Sequence, residues 1–229
     1  MLPSPLLSAR SLRAFLFIFA AGLARGLAQG EAPTTRYVTI DEAIARGDQD
    51  DVKAHLKLDG TRAHRGKDEA LTPLHQAILR NRQEIAVLLL GAGANPNQPD
   101  RSQRTPLHLA VERNNLPLLE ILIAKKVALN ERDKIGWTPL HHAAAKDRLA
   151  LARALLKGGA NPMTLSERGG TPLHEAAASG SAEMVQLFLA ARVDPAIVSK
   201  MGVTALDIAR EFKNEAAIAV LSSLPSAKK

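Results

Sequence analysis

The tetrapeptide Thr-Pro-Leu-His occurs four times at one spacing, beginning at Thr72, Thr105, Thr138 and Thr171, each 33 residues after the last. A degenerate fifth copy, Thr204-Ala205-Leu206-Asp207, follows at the same interval. Self-similarity at a fixed period of this length marks a chain of stacked supersecondary units, each burying its apolar face against its neighbours. The question of function therefore moves from a catalytic cleft to the surface that such a stack presents.

The motif reads as a helix start. The threonine hydroxyl can cap the first turn. Proline suits the first helical position, where a missing N–H costs nothing. Leu74, Leu107, Leu140 and Leu173 then point into the stack, and His75, His108, His141 and His174 lie three residues past the cap, within reach of it. After this first helix comes a break at Asn81, Asn114, Asp147 or Gly180, then a second apolar stretch over residues 84–90, 116–124, 149–156 and 182–190. Gly91-Ala92-Gly93-Ala94-Asn95-Pro96 and Gly158-Gly159-Ala160-Asn161-Pro162 supply helix stops and a turn into an extended loop. Arg192-Val193-Asp194-Pro195 keeps the turn without glycine. Lys126-Val127-Ala128-Leu129 loses both glycine and proline, which predicts an altered or strained loop there.

This arrangement resembles the ankyrin repeat over roughly residues 36–224. The resemblance implies an all-α solenoid of helix-turn-helix units with β-hairpin-like finger loops. It gives about five to six units including caps, near 36–67, 68–100, 101–133, 134–166, 167–199 and 200–224. Ile40-Asp41-Glu42-Ala43 reads as a divergent first unit, one residue off the spacing, so that the loop over 59–68 is expected to be long. Residues 225–229 form a polar tail expected to fray. Past residue 28 the aromatic residues are Tyr37, Trp137, Phe188 and Phe212. The small and aliphatic residues that dominate suit short helices in close approach.

The first 28 residues read as a secretory signal peptide, followed by a short linker over 29–35. Arg10 and Arg13 precede an apolar run over residues 14–24, too short to span a bilayer comfortably. Gly26-Leu27-Ala28 offers small residues for cleavage after Ala28. Two rivals stay open: a mitochondrial presequence, and an uncleaved anchor. The apolar block Phe15-Leu16-Phe17-Ile18-Phe19 favours the secretory reading over an amphipathic presequence. With no cysteine in the chain, the expected location is periplasmic or secreted, without stable membrane insertion once the leader is removed. Removing the three leader arginines leaves 27 basic against 23 acidic residues, a net charge of about +4. That excess is too small to argue for nucleic acid.

The residues hold no catalytic signature. There is no Gly-x-Ser-x-Gly elbow, phosphate-binding loop or His-Glu-x-x-His. The Gly91 and Gly93 pair follows a helix rather than a strand and reads as a helix stop. Motif histidines in neighbouring units should stand roughly 10 Å apart, the helix-packing distance. Metal–ligand bonds are about 2 Å long, so the histidines are not expected to share an ion. Asp48, Asp50 and Asp51 suit the start of a second helix better than a calcium site. No cofactor or metal is expected, and the reading is of a non-enzyme.

What remains is a binding surface. The resemblance implies a concave groove made by the fingers and the exposed face of each first helix. Arg80, Arg113 and Lys146 place one cation per unit on that helix face, and Arg101, Arg104, Lys134 and Arg168 extend the row onto the fingers. Ile135 and Trp137 lie on the same finger, and His142 reads as a surface residue of the inner helix face. Trp137 is either an anchor for a partner or a cover for a neighbouring finger. The cations are either a groove for an acidic protein segment or an ordinary solvated face. The expected function is a monomeric adaptor, chaperone or stabiliser of another protein. Alternatives are an inhibitor or immunity-type protein that occludes an enzyme or toxin, and a mitochondrial scaffold.

Overall fold

Threonine followed by proline sets an extended residue against a first helical residue whose φ is already fixed. The computed structural model, which describes residues 34–64 and 71–224, shows this arrangement at each copy of the motif. Thr72, Thr105, Thr138 and Thr171 are extended, with φ from −73° to −88°, and a helix begins at the next residue. The leader, most of the linker and the tail lie outside the described residues, as do 65–70 in the first interunit connection.

Twelve α-helices and no strand are found among the described residues. They alternate between a first, inner helix and a second, outer one. The inner helices are α1 (Ile40–Arg46), α3 (Pro73–Leu79), α5 (Pro106–Glu112), α7 (Pro139–Ala145), α9 (Pro172–Ser179) and α11 (Ala205–Glu211). The outer helices are α2 (Gln49–Leu58), α4 (Gln83–Gly91), α6 (Leu116–Ala124), α8 (Leu149–Lys157), α10 (Ala182–Ala190) and α12 (Glu215–Ser222). Each inner helix meets the next inner helix along the chain, and α6, α8, α10 and α12 meet in turn. Helices of seven to ten residues are marginal alone, so this stacking is what holds them.

The core repeats with the sequence. Leu74, Leu107, Leu140 and Leu173 are buried, and Ala77, Ala110, Ala143, Ala176 and Ala209, at the same 33-residue spacing, are wholly buried. A methyl side chain at that position lets neighbouring inner helices approach closely. Phe188 on α10 is the largest fully buried side chain.

The breaks divide into two kinds. Asn81, Asn114, Asp147 and Lys213 adopt left-handed backbone with φ of 49–55°. Gly180 is instead extended (φ −82°, ψ 162°), and a Cβ there would lie 2.7 Å from the carbonyl oxygen of Ala176. Here glycine serves close approach rather than handedness. At the outer-helix stops Gly93 and Gly159 are left-handed, and so are Lys126 and Arg192. The loop after α6 therefore keeps the turn that its composition argued against. Lys126 carries the steric cost of φ 56°, and the Ala128 N–H donates to Asn97 Oδ1 of the preceding unit at 2.9 Å.

The first unit corrects the expected register. Thr39 caps α1, accepting from the Glu42 N–H at 3.2 Å, and it lies 33 residues before Thr72. The missing residue is in the break, where Gly47 directly follows α1 and is left-handed, whereas Asn81 comes one residue later in the next unit. Because α2 starts one residue early but runs for ten residues against nine in α4, the connection from Asp59 to Thr72 has the same length as that from Ala92 to Thr105, not a greater one. Asp48 caps α2 and pairs with the Arg36 guanidinium at 2.5 Å, and Asp51 accepts from the backbone N–H of Arg36 and, at 3.1 Å, of Tyr37. These two carboxylates thus tie the entering chain to the stack. In the last unit Asp207 takes the histidine's place, accepting from the Thr204 N–H at 2.9 Å.

Candidate functional site

The four interunit connections from Asp100 onward fold into fingers. The backbone N–H of Asp100, Asp133, Ser166 and Ser199 donates to the carbonyl of Arg104, Trp137, Gly170 and Val203 at 2.8–2.9 Å. The turn at each tip uses a left-handed residue: Gln103, Gly136, Gly169 or Gly202. Asp133 Oδ1 accepts from the backbone N–H of Ile135 (3.0 Å) and Trp137 (2.9 Å), and Asp100 Oδ1 does the same for Ser102 and Arg104. Fingers join sideways through Lys134 N–H to Ser102 O (3.0 Å) and Lys200 N–H to Arg168 O (2.9 Å).

In the two central copies the motif histidine links its helix to the next finger. The threonine N–H donates to the histidine Nδ1 at 3.0–3.2 Å in all four copies. An accepting Nδ1 puts the proton on Nε2. From there His108 donates to Trp137 O (3.1 Å) and His141 to Gly170 O (3.2 Å), both on the next finger. Burial lowers the pKa of both His108 and His141 to about 4.

The central fingers hold two corrections. His142 is buried, not at the surface, and its Nε2 lies 2.7 Å from Asp133 Oδ2. Trp137 sits at the base of its finger rather than the tip and is half-buried. Its ring stacks over His141 (centroids 6.3 Å, 20°) and meets His142 edge-on (5.1 Å, 72°). It therefore covers its own unit's helix. The Asp133 carboxylate is opposed by burial, but the hydrogen bonds from His142 and the finger N–H groups outweigh this and hold it below the usual carboxylate range. Asp133 was not singled out from the sequence. Its signal is that Asp100 and Asp133 share one register, which serine fills at Ser166 and Ser199.

Arg104 also leaves the row of free cations. Its guanidinium pairs with Asp100 at 2.8 Å and Glu112 at 3.0 Å, and despite partial burial these partners raise its pKa above the usual arginine value. The remaining cations are exposed. Arg80, Arg113 and Lys146 follow the last residue of α3, α5 and α7, and Arg101, Lys134 and Arg168 lie on the fingers beside the 54% exposed Ile135. The Arg104–Glu112 bridge ties the finger to the end of α5. Continuing the helix-end row by the repeat gives Ser179 and then Phe212, which is 62% exposed. Phe212 was not among the surface residues read from the sequence.

Among the described residues no three His, Asp or Glu side chains are placed to share a metal ion, and no helix is long and apolar enough to cross a membrane. Family models for ankyrin repeats match the chain, one of three copies over residues 74–166 and one of many copies over residues 155–209. No curated protein matches it as a relative. Ankyrin repeats generally mediate protein–protein interaction. On the motif, the alternating helices and these matches, the chain belongs to the ankyrin-repeat family.

Proposed function

We propose that this protein is an exported, non-enzymatic binding module that holds an acidic segment of another protein on the face formed by its fingers and inner helices. The observation that carries this is the exposed series Arg80, Arg113 and Lys146, one cation per unit at the same helix position, with no ion pair to any of them among the described residues. Lys134 and Arg101 add charge from the fingers, and Ile135 adds an exposed apolar contact beside it. Cations spaced by a rigid scaffold present a linear charge pattern that steers an acidic chain and fixes its register. Within this reading the protein acts as adaptor, chaperone or stabiliser.

A random-peptide display selection on the immobilised protein tests the surface. The reading expects enrichment of Asp- and Glu-rich peptides carrying an apolar residue, and loss of that enrichment in the Arg113→Glu/Lys146→Glu variant. Recovery without acidic enrichment, or full retention by the variant, would overturn it. Export rests on the leader's apolar run and small-residue cleavage site. N-terminal sequencing of the protein recovered from cells is expected to begin at or near Gln29, and a product that starts at Met1 would sink it.

A further inference from the structure

One position of the inner helices, filled in turn by Gln76, Leu109, His142, Glu175 and Ile208, changes character at its fourth member. Gln76 donates to Asp41 at 2.8 Å, Leu109 is buried, and His142 is bonded to Asp133. The half-buried Glu175 carboxylate has no hydrogen bond or ion pair among the described residues. The reason is in the finger. In the two units before, the residue preceding the motif threonine covers the helix beside it: Arg104 spans Asp100 and Glu112, and Trp137 lies on His141 and His142. In the next unit that residue is Gly170. Without a side chain there, a cleft of about 240 Å³ stays open between the last two units, bounded by Arg168, Gly170, Glu175, Met201, Glu211 and Phe212. Two of its walls are conspicuously apolar for surface residues, with Met201 74% and Phe212 62% exposed.

The charges of the cleft do not balance. Two carboxylates, Glu175 and Glu211, face one guanidinium, Arg168. Burial holds Glu175 above the usual carboxylate range, and the charge of Arg168 only partly offsets this. A carboxylate that has lost water and gained no partner is costly until a cation reaches it. An apolar wall beside such a carboxylate matches a side chain with a long apolar stem and a cationic head. A guanidinium fits better than an ammonium, because its plane can stack on Phe212 while two N–H groups meet one carboxylate.

We propose that this cleft is the anchor site for an arginine of the partner protein, its guanidinium on Glu175 and its stem against Met201 and Phe212. The inference rests on the reading that this face holds a partner segment, and it gives that segment a direction. The acidic stretch lies over Arg113, Lys134 and Lys146, and the arginine lies at the last two units. With units roughly 10 Å apart and extended chain rising about 3.3 Å per residue, the arginine falls about three to six residues from the acidic stretch.

The test uses the protein with its methionine methyl groups labelled with carbon-13, titrated with Nα-acetyl-arginine amide, its norleucine analogue and its glutamate analogue. The arginine compound is expected to shift the Met201 methyl resonance saturably while leaving the buried Met184, which does not line the cleft, unmoved. Glu175→Gln, checked for a native spectrum, is expected to weaken that binding by about fivefold or more, the loss of one charge-assisted contact. Equal shifts from norleucine, unchanged binding in Glu175→Gln, or no saturable Met201 shift would each overturn the proposal. Loss of acidic-peptide enrichment with the arginine shift intact strikes the groove reading and spares the cleft. The converse strikes the cleft alone.

Discussion

His108 and His141 use both ring nitrogens, and that fixes how the fold responds to acid. Nδ1 accepts from the threonine N–H and Nε2 donates to the next finger in His108 and His141, so each ring must stay neutral. Their pKa values, lowered by burial to about 4, lie below the ordinary value near 6.5. A lowered histidine pKa means that the unfolded chain takes up the proton first. The stability these rings contribute is complete above about pH 6.5 and is lost as pH falls towards about 4, by at most ~3 kcal/mol per ring. Urea denaturation midpoints at pH 7.5, 5.5 and 4.5 are expected to fall in that order, and a flat series would refute the neutral relay. Asp133→Ala removes the acceptor of two finger N–H groups and of His142, and is expected to cost about 2–4 kcal/mol in the same assay. A loss within about 0.5 kcal/mol, as for an ordinary surface site, would show that the contact does not hold the finger. The histidine cap was legible from its spacing. The burial of His142 was not, because helix periodicity says nothing of an aspartate and a tryptophan that arrive from a finger.

At the scale of elements, helix starts and stops were readable because proline, threonine and glycine act locally. The first unit misled because Thr39 lacks the proline that follows the cap in the four full copies of the motif, so the missing residue was assigned to the helix start rather than to the break. The finger tips give a paired prediction. Gln103 and Gly136 occupy equivalent left-handed positions, with φ of 58° and 75°. A Cβ at Gly136 would lie 2.5 Å from the backbone nitrogen of Glu167 on the next finger. Gln103→Gly is expected to stabilise by up to about 1 kcal/mol, by removing the left-handed penalty. Gly136→Ala is expected to destabilise by at least about 1 kcal/mol, from the same penalty plus the clash. Thermal unfolding of the two variants checks the pair, and shifts of the same sign would contradict the finger geometry.

Over the whole molecule, the repeat fixes a scaffold while positions outside it vary from unit to unit. The residue before the threonine is Leu71, Arg104, Trp137, Gly170 and Val203 in turn, and the helix-end residue is Arg80, Arg113, Lys146, Ser179 and Phe212. The surface thus runs from cationic in the early units to apolar in the last, with an acidic cleft beside it. The cationic row was legible from the sequence by its period. The withdrawal of Arg104 into its ion pairs and the opening at Gly170 were not, because both depend on which side chains fold over the helices. The central claim is that the cationic face binds an acidic chain, and the most direct measurement is Trp137 fluorescence titrated with an enriched acidic peptide. Arg113→Glu/Lys146→Glu is expected to weaken binding by about tenfold or more, ~1.4 kcal/mol, and to flatten its dependence on salt. Arg153→Glu, an exposed change on the outer helix α8, is expected to leave affinity unchanged. Equal affinity in the double variant, or an equal loss in Arg153→Glu, would contradict the account.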